Sequence, residues 1–123
     1  MKLIAADDSR LVRGIIEKTV ASIGYQTMPA DNGREALNIL ETDGQDIKLV
    51  LLDWNMPVLN GIDVIKSMRG DERFKSIPVL MVSTETEDDK IKEALSAGAQ
   101  GYLAKPFTPN QLIEAIRRVL EHK

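Results

Sequence analysis

The chain has 123 residues, enough for one domain with one sizeable core, and its 43% hydrophobic and 28% charged content is ordinary for a soluble globular protein. With 16 Lys and Arg against 19 Asp and Glu, the net charge is −3 and no dense basic block occurs, so neither nucleic acid nor an anionic membrane is an expected partner. Cysteine is absent, which removes disulfides, thiolate metal sites and thiol catalysis, and no apolar run has signal-peptide or membrane-spanning length, so a cytoplasmic protein is expected.

Short apolar runs alternate with amphipathic segments along the whole chain. Lys2–Ala6 is the first predicted strand. Leu11, Val12, Ile15, Ile16, Val20 and Ile23 then recur at helical spacing, predicting one apolar face. Tyr25–Ala30 is a more polar strand containing Pro29, which cannot donate to a ladder and so predicts an edge. "NGRE" at 32–35 predicts a helix start with Asn as N-cap and Glu at the third helical position. Ile47–Leu52 and Pro78–Ser83 hold the continuously apolar runs "LVLL" and "VLMV", the pattern of central strands buried on both faces. Gly101–Ala104 is a weak strand and the second candidate edge. "TPNQ" at 108–111 writes a capping box with proline at the first helical position, before a face of Leu112, Ile113, Ile116, Val119 and Leu120. Gly24, Gly44, Gly70 and Gly98 each follow a helical pattern, where a left-handed C-cap is wanted.

Five successive βα units predict an α/β fold: a five-stranded parallel sheet, doubly wound, (βα)5. With the second and fifth strands at the edges, the first must lie beside the third, which gives the flavodoxin-like order 2-1-3-4-5. Ligands of such sheets sit beyond the carboxyl ends of the strands, where the order reverses between strands 1 and 3. The residues delivered there are Asp7 and Asp8 from strand 1, Asp53 from strand 3, Ser83 from strand 4 and Lys105, followed by Pro106, from strand 5. Three acids close together repel and call for a cation. Oxygen ligands without nearby His or Cys select a hard ion, naturally Mg²⁺. Lys105 supplies the second positive charge and Ser83 the hydroxyl that a phosphoryl group would need, and an Asp beside Mg²⁺ is a nucleophile toward phosphorus. Taken singly, each residue has a plainer reading. Asp7-Asp8 would be a solvated turn, Asp53 a strand end, Ser83 the N-cap of the next helix, Lys105 a surface lysine and Trp54 simple packing. It is their coincidence at four of five strand ends that favours a site.

The strings "ADDS" (6–9), "LLDWNMP" (51–57), "NG" (60–61), "VLMVS" (79–83) and "AGAQGYLAKPFT" (97–108) resemble, in order and spacing, the receiver domains of two-component response regulators, most closely stand-alone chemotaxis regulators. The resemblance spans essentially all of residues 1–123 and implies a single receiver domain. It implies Asp53 as acceptor of a phosphoryl group from a histidine kinase. It implies Mg²⁺ held by Asp8, Asp53 and the Asn55 carbonyl, with Asp7 acting largely through water. Lys105 would bind a phosphoryl oxygen before a cis Pro106, Ser83 would hydrogen-bond the phosphoryl group, and Tyr102 would swing inward behind it, biasing a helix 4–strand 5–helix 5 surface. Asn55 and Glu85 would govern attack of water on the acyl phosphate. Two features depart from the usual pattern: the alanines of "LIAADD", and Ser rather than Thr at position 83.

The resemblance further implies a monomeric signalling switch rather than an enzyme, with the kinase on one side and a target such as the flagellar motor switch on the other. No effector domain follows "RRVLEHK", so output by docking rather than DNA binding is expected. Three other readings compete. An aspartyl phosphatase wants a second Asp where Asn55 stands; a flavin module wants an uncharged loop where Asp7-Asp8 stand; a receiver-like scaffold would never be phosphorylated.

Overall fold

A computed structural model of the chain describes residues 1–121. Its elements are β1 (Lys2–Ala6), α1 (Arg10–Ala21), β2 (Gln26–Ala30), α2 (Gly33–Asp43), a 3-10 turn (Gly44–Asp46), β3 (Ile47–Leu52), α3 (Gly61–Arg69), β4 (Val79–Ser83), α4 (Asp88–Ala97), β5 (Gly101–Ala104) and α5 (Pro109–Glu121). All strand pairings are parallel and the order is β2-β1-β3-β4-β5, the topology that the strand polarities predict. Among the described residues no helix is long and apolar enough to cross a membrane.

Strand alternation sends side chains to two cores. Leu3, Ala5, Leu49, Leu51, Leu80 and Val82 face α1 and α5, where Ile16, Val20, Leu112, Ile116 and Val119 cover them. Ile4, Ala6, Val50, Leu52, Val79 and Met81 face the other way, beneath Ala36 and Leu40 of α2, Val64, Ile65 and Met68 of α3 and Ala94 of α4. Central strands buried on both faces need continuous apolar runs, and β3 and β4 have them.

Helix starts follow their capping residues. Ser9, Asn32 and Asn60 each accept a backbone N–H of the first turn. Thr108 and Gln111 form the reciprocal box, with bonds of 2.9 and 3.1 Å. In α2 the return bond differs: the Glu35 carboxylate takes the N–H of Asp31, one residue ahead of the Asn32 cap.

Two expectations need correction. The predicted α1 face is too wide. Leu11 is 75% and Ile15 41% exposed, and Ile23 lies past the helix end, while Ile16, Thr19 and Val20 are buried. Residues 12, 16, 19 and 20 form the stripe that one sheet face can cover; Leu11 and Ile15 stand a rotation of about 100° away and reach solvent. The left-handed C-cap holds at Gly24 (φ 90°) and Gly98 (φ 123°) but not at Gly44 (φ −54°) or Gly70 (φ −86°). Gly44 is needed for space instead, since a Cβ there would lie 2.7 Å from the Phe74 ring.

Candidate functional site

The sheet hydrogen bonding runs one step beyond the strands and so sets the height of the acids. The Asp7 N–H donates to the Ala30 carbonyl at 3.0 Å, and the Asp53 N–H to the Ala6 carbonyl at 2.8 Å. The chain then leaves the sheet at both positions, so Asp7, Asp8 and Asp53 come together at the carboxyl edge. Each offers a carboxylate oxygen within 4.8 Å of the other two. Asp7 and Asp53 are 1% and 7% exposed, whereas Asp8 faces solvent.

Lys105 closes the cluster from β5. Its Nζ lies 2.6 Å from Asp7 Oδ2 and 3.2 Å from Asp53 Oδ2. Its backbone N–H donates to the Ser83 carbonyl at 2.9 Å, and the Lys105–Pro106 peptide is cis. Burial works against the ammonium, but the bond to Asp7 and the charges of Asp53 and Asp7 outweigh it and push the Lys105 pKa up. Asp53 is also pushed up, first by burial and then by the negative charge of Asp7; Lys105 and the Trp54 N–H pull the other way without cancelling the rise.

Every polar group of Asp7 is engaged. Besides its N–H bond to Ala30, Oδ1 accepts the Ser9 N–H at 2.8 Å, Oδ2 accepts Lys105, and its carbonyl accepts Arg13 Nη1 at 2.5 Å. Asp8 and Asp53 therefore present the freer oxygens. Three carboxylates against one ammonium leave two negative charges in an oxygen-only cluster, a donor set that fits a divalent hard cation. Asp8 and Asp53 would hold it, with Asp7 behind them.

A second group sits beside the first. Ser83 ends β4 wholly buried, and its Oγ accepts the Glu85 N–H at 3.2 Å. The N-cap of α4 is Glu87, so Ser83 is not the cap of the next helix. Tyr102 projects from β5 and its hydroxyl donates to the Glu85 carbonyl at 2.5 Å, so the ring already lies inward. Burial pushes the phenol pKa up; the Ser83 hydroxyl opposes this, and the charges of Glu85 and Asp53 add to it. Glu85 is half-buried, and Asn55 is exposed two residues beyond Asp53.

The loop after β3 holds the acid in place by close backbone contact. A Cβ on Gly61 would lie 2.4 Å from the Asp53 carbonyl, so only glycine allows α3 to start there, and the Gly61 N–H bonds the Trp54 carbonyl at 2.9 Å. Val58 takes φ 70°, a left-handed conformation unusual for a β-branched residue. Trp54 is not mere packing: its ring, 7% exposed, carries Lys90 Nζ 5.3 Å from its centroid.

Sequence reasoning missed Arg13 and Lys90. Helical periodicity could have aimed Arg13 back at the strand end through Ser9, but nothing local links Lys90 to residue 54.

Comparison with known proteins agrees with this geometry. The family model for the response regulator receiver domain matches residues 3–117. Chemotaxis protein CheY1 of Helicobacter pylori is 43% identical over 121 residues, covering 98% of this chain and 97% of that protein. Chemotaxis protein CheY of Pseudomonas aeruginosa is 42% identical over 122 residues, covering 98% and 97%. Among solved structures, CheY4 of Vibrio cholerae superposes with a TM-score of 0.90 at 37% identity, covering 97% of this chain and 98% of that one.

Proposed function

Because the chain belongs to the response regulator receiver family, we propose that it is a two-component signalling switch whose Asp53 accepts a phosphoryl group from a phosphohistidine of a histidine kinase. The reading takes residues 1–123 as one receiver unit acting as a cytoplasmic monomer, and the names of its relatives support a role in chemotaxis. It is a switch and not an enzyme in the usual sense.

The observation that carries the reading is one juxtaposition. Three carboxylates share oxygens within 4.8 Å, and one ammonium bridges two of them at 2.6 and 3.2 Å. In the transfer, an Asp53 oxygen attacks phosphorus, the P–N bond breaks, and the imidazole leaves with its electron pair and takes up a proton. Bound Mg²⁺ would supply charge neutralisation, held by Asp8, Asp53 and the Asn55 carbonyl with Asp7 behind. Lys105 exchanges its Asp53 contact for a phosphoryl oxygen while keeping Asp7. Ser83 rotates so that its Oγ stops accepting the Glu85 N–H and its O–H donates to the phosphoryl group. That exchange loosens the Glu85 turn, which also accepts the Tyr102 hydroxyl, and so biases the α4–β5–α5 face toward a downstream target such as the flagellar motor switch. Ile15, 41% exposed, lines an apolar hollow with Val12, Pro106 and Phe107 that would give a phosphodonor protein an apolar rim next to Lys105. Asn55 and Glu85 flank the acceptor and hydroxyl positions and tune the attack of water on the acyl phosphate.

Trp54 is the single tryptophan and follows Asp53, so its emission tests the reading. Mg²⁺ should change the emission, acetyl phosphate should change it further only with Mg²⁺ present, and Asp53→Asn should remove the second change. A second change that survives in that variant puts the phosphoryl group elsewhere; no response to either reagent favours an inert scaffold. Lys105→Ala should keep the Mg²⁺ response yet uncouple phosphorylation from the state of the α4–β5–α5 face, read by amide exchange.

A further inference from the structure

α4 is held differently at its two ends. Only Ala94 of the helix is buried, so packing contributes little. Its C-terminal end is firmly tied: the Gly98 carbonyl accepts Arg69 Nε at 3.1 Å and Nη2 at 2.8 Å. The same guanidinium reaches the Lys75 and Ile77 carbonyls at 3.1 and 3.0 Å. The N-terminal end has no such bonds, since Glu87 caps without a side-chain hydrogen bond. What reaches across from the first turns is Lys90, whose ammonium stands 5.3 Å from the Trp54 ring centroid. Lys90 forms no ion pair among the described residues, so the ring face is the partner of its charge.

Trp54 is joined to the acceptor by covalent sequence, and its backbone N–H is one of the groups that pull the Asp53 pKa down. Its carbonyl accepts the Gly61 N–H at the start of α3, and its ring lies in the core on the α2–α3–α4 side of the sheet. The ring therefore moves with the acceptor loop. A cation over an indole face is attracted by the ring quadrupole, and Trp is the strongest such partner. This bond is weaker than the charge-assisted hydrogen bonds at the other end. A helix firmly tied at one end and softly at the other turns about the firm end.

We propose that Lys90 is a positioning residue that ties the N-terminal turns of α4 to the phosphoacceptor loop through the Trp54 ring, so that displacement of the loop is passed to α4 pivoting at Gly98. The inference rests on the proposed function for its signalling consequence and not for the tether itself.

The test compares the parent with Lys90→Ala, Lys90→Arg and Lys92→Ala, the last removing an equal charge from an exposed position of the same helix. Without Mg²⁺ or phosphodonor, Lys90→Ala should shift the Trp54 emission and speed amide exchange in the first half of α4 roughly two- to five-fold, the ratio that about 0.5–1 kcal/mol converts to. Lys90→Arg, which keeps a cation over the ring, should restore both, and Lys92→Ala should change neither. With Mg²⁺ and acetyl phosphate, Lys90→Ala should take the Asp53 label, read by mass, within about two-fold of the parent rate. Its label-dependent exchange change in α4 should nonetheless shrink. Unchanged emission and exchange in Lys90→Ala, equal effects from Lys92→Ala, or no rescue by Arg would each overturn the tether. A parent that takes no label would instead overturn the phosphoacceptor reading, and the metal-free comparison would still decide the role of Lys90.

Discussion

At the scale of single residues, Asp53 is a carboxylate that the fold makes uncomfortable. Its pKa is raised by burial first and by Asp7 second, against the pull of Lys105. A carboxyl with a higher pKa folded than unfolded stabilises the fold while protonated. That contribution is complete below the ordinary value of 3.8 and is lost as pH rises through the raised one. Metal-free protein at neutral pH thus bears the cost of an ionised Asp53. Asp53→Asn should raise the thermal midpoint in EDTA by roughly 2–6 °C, with the gap closing as pH falls toward 4, and Mg²⁺ should narrow it by stabilising only the parent. A variant less stable than the parent at pH 7 without metal would show that Lys105 outweighs burial. Lys105 carries the opposite charge with the same sign of shift: its raised pKa keeps the ion pairs intact until strongly alkaline pH.

The elements show why two glycines of similar appearance behave differently. Gly33 opens α2, and a Cβ there would lie 2.3 Å from the Leu59 carbonyl oxygen and 2.6 Å from the Leu59 Cβ. Since that neighbour is mostly backbone of the loop after β3, it cannot step aside cheaply. Gly33→Ala should cost about 1–3 kcal/mol in denaturant unfolding and, by displacing the loop, weaken the Mg²⁺ response of Trp54. Gly14, in the middle of α1, has nothing within 4 Å of a built Cβ. Gly14→Ala should stabilise by about 0.5–1 kcal/mol, because alanine loses less backbone entropy in a helix. Equal effects from the two substitutions would refute this account. The weak burial of α4 belongs to the same scale: the proposed switch face includes the α-helix with the fewest buried residues and an edge strand.

Across the whole molecule, the two cores are not independent because the central strands feed both. Leu51 points into the α1–α5 side and Leu52 into the α2–α3–α4 side, and both are buried. Leu51→Ala and Leu52→Ala should each cost about 2–5 kcal/mol and lower one shared transition, with far-ultraviolet dichroism and Trp54 emission coinciding. Separate transitions in either variant would show that the faces unfold apart. The same sharing would let the proposed switch act at a distance: β4 ends in Ser83, and β5, which carries Tyr102 and runs into Lys105, is its neighbour in the sheet, so a local exchange of hydrogen bonds need cross only one strand spacing.

What was legible from the amino acids alone was whatever depends on short-range order. Apolar runs located the strands to within a residue, the proline and polarity of 25–30 marked an edge, and from that order the meeting of Asp7, Asp8, Asp53 and Lys105 followed. The caps at Asn32 and Thr108 were equally readable, because a cap bonds within its own turn. The width of the buried stripe on α1, the dihedral angles at Gly44 and Gly70, and the reach of Arg13 and Lys90 were decided by tertiary structure. Periodicity says that a face is apolar and not how much of it a neighbour covers. A glycine signals freedom or space, and only the packed partner, here the Phe74 ring, tells which. A lysine 36 positions from a tryptophan finds its ring only when the sheet brings α4 over the loop of β3.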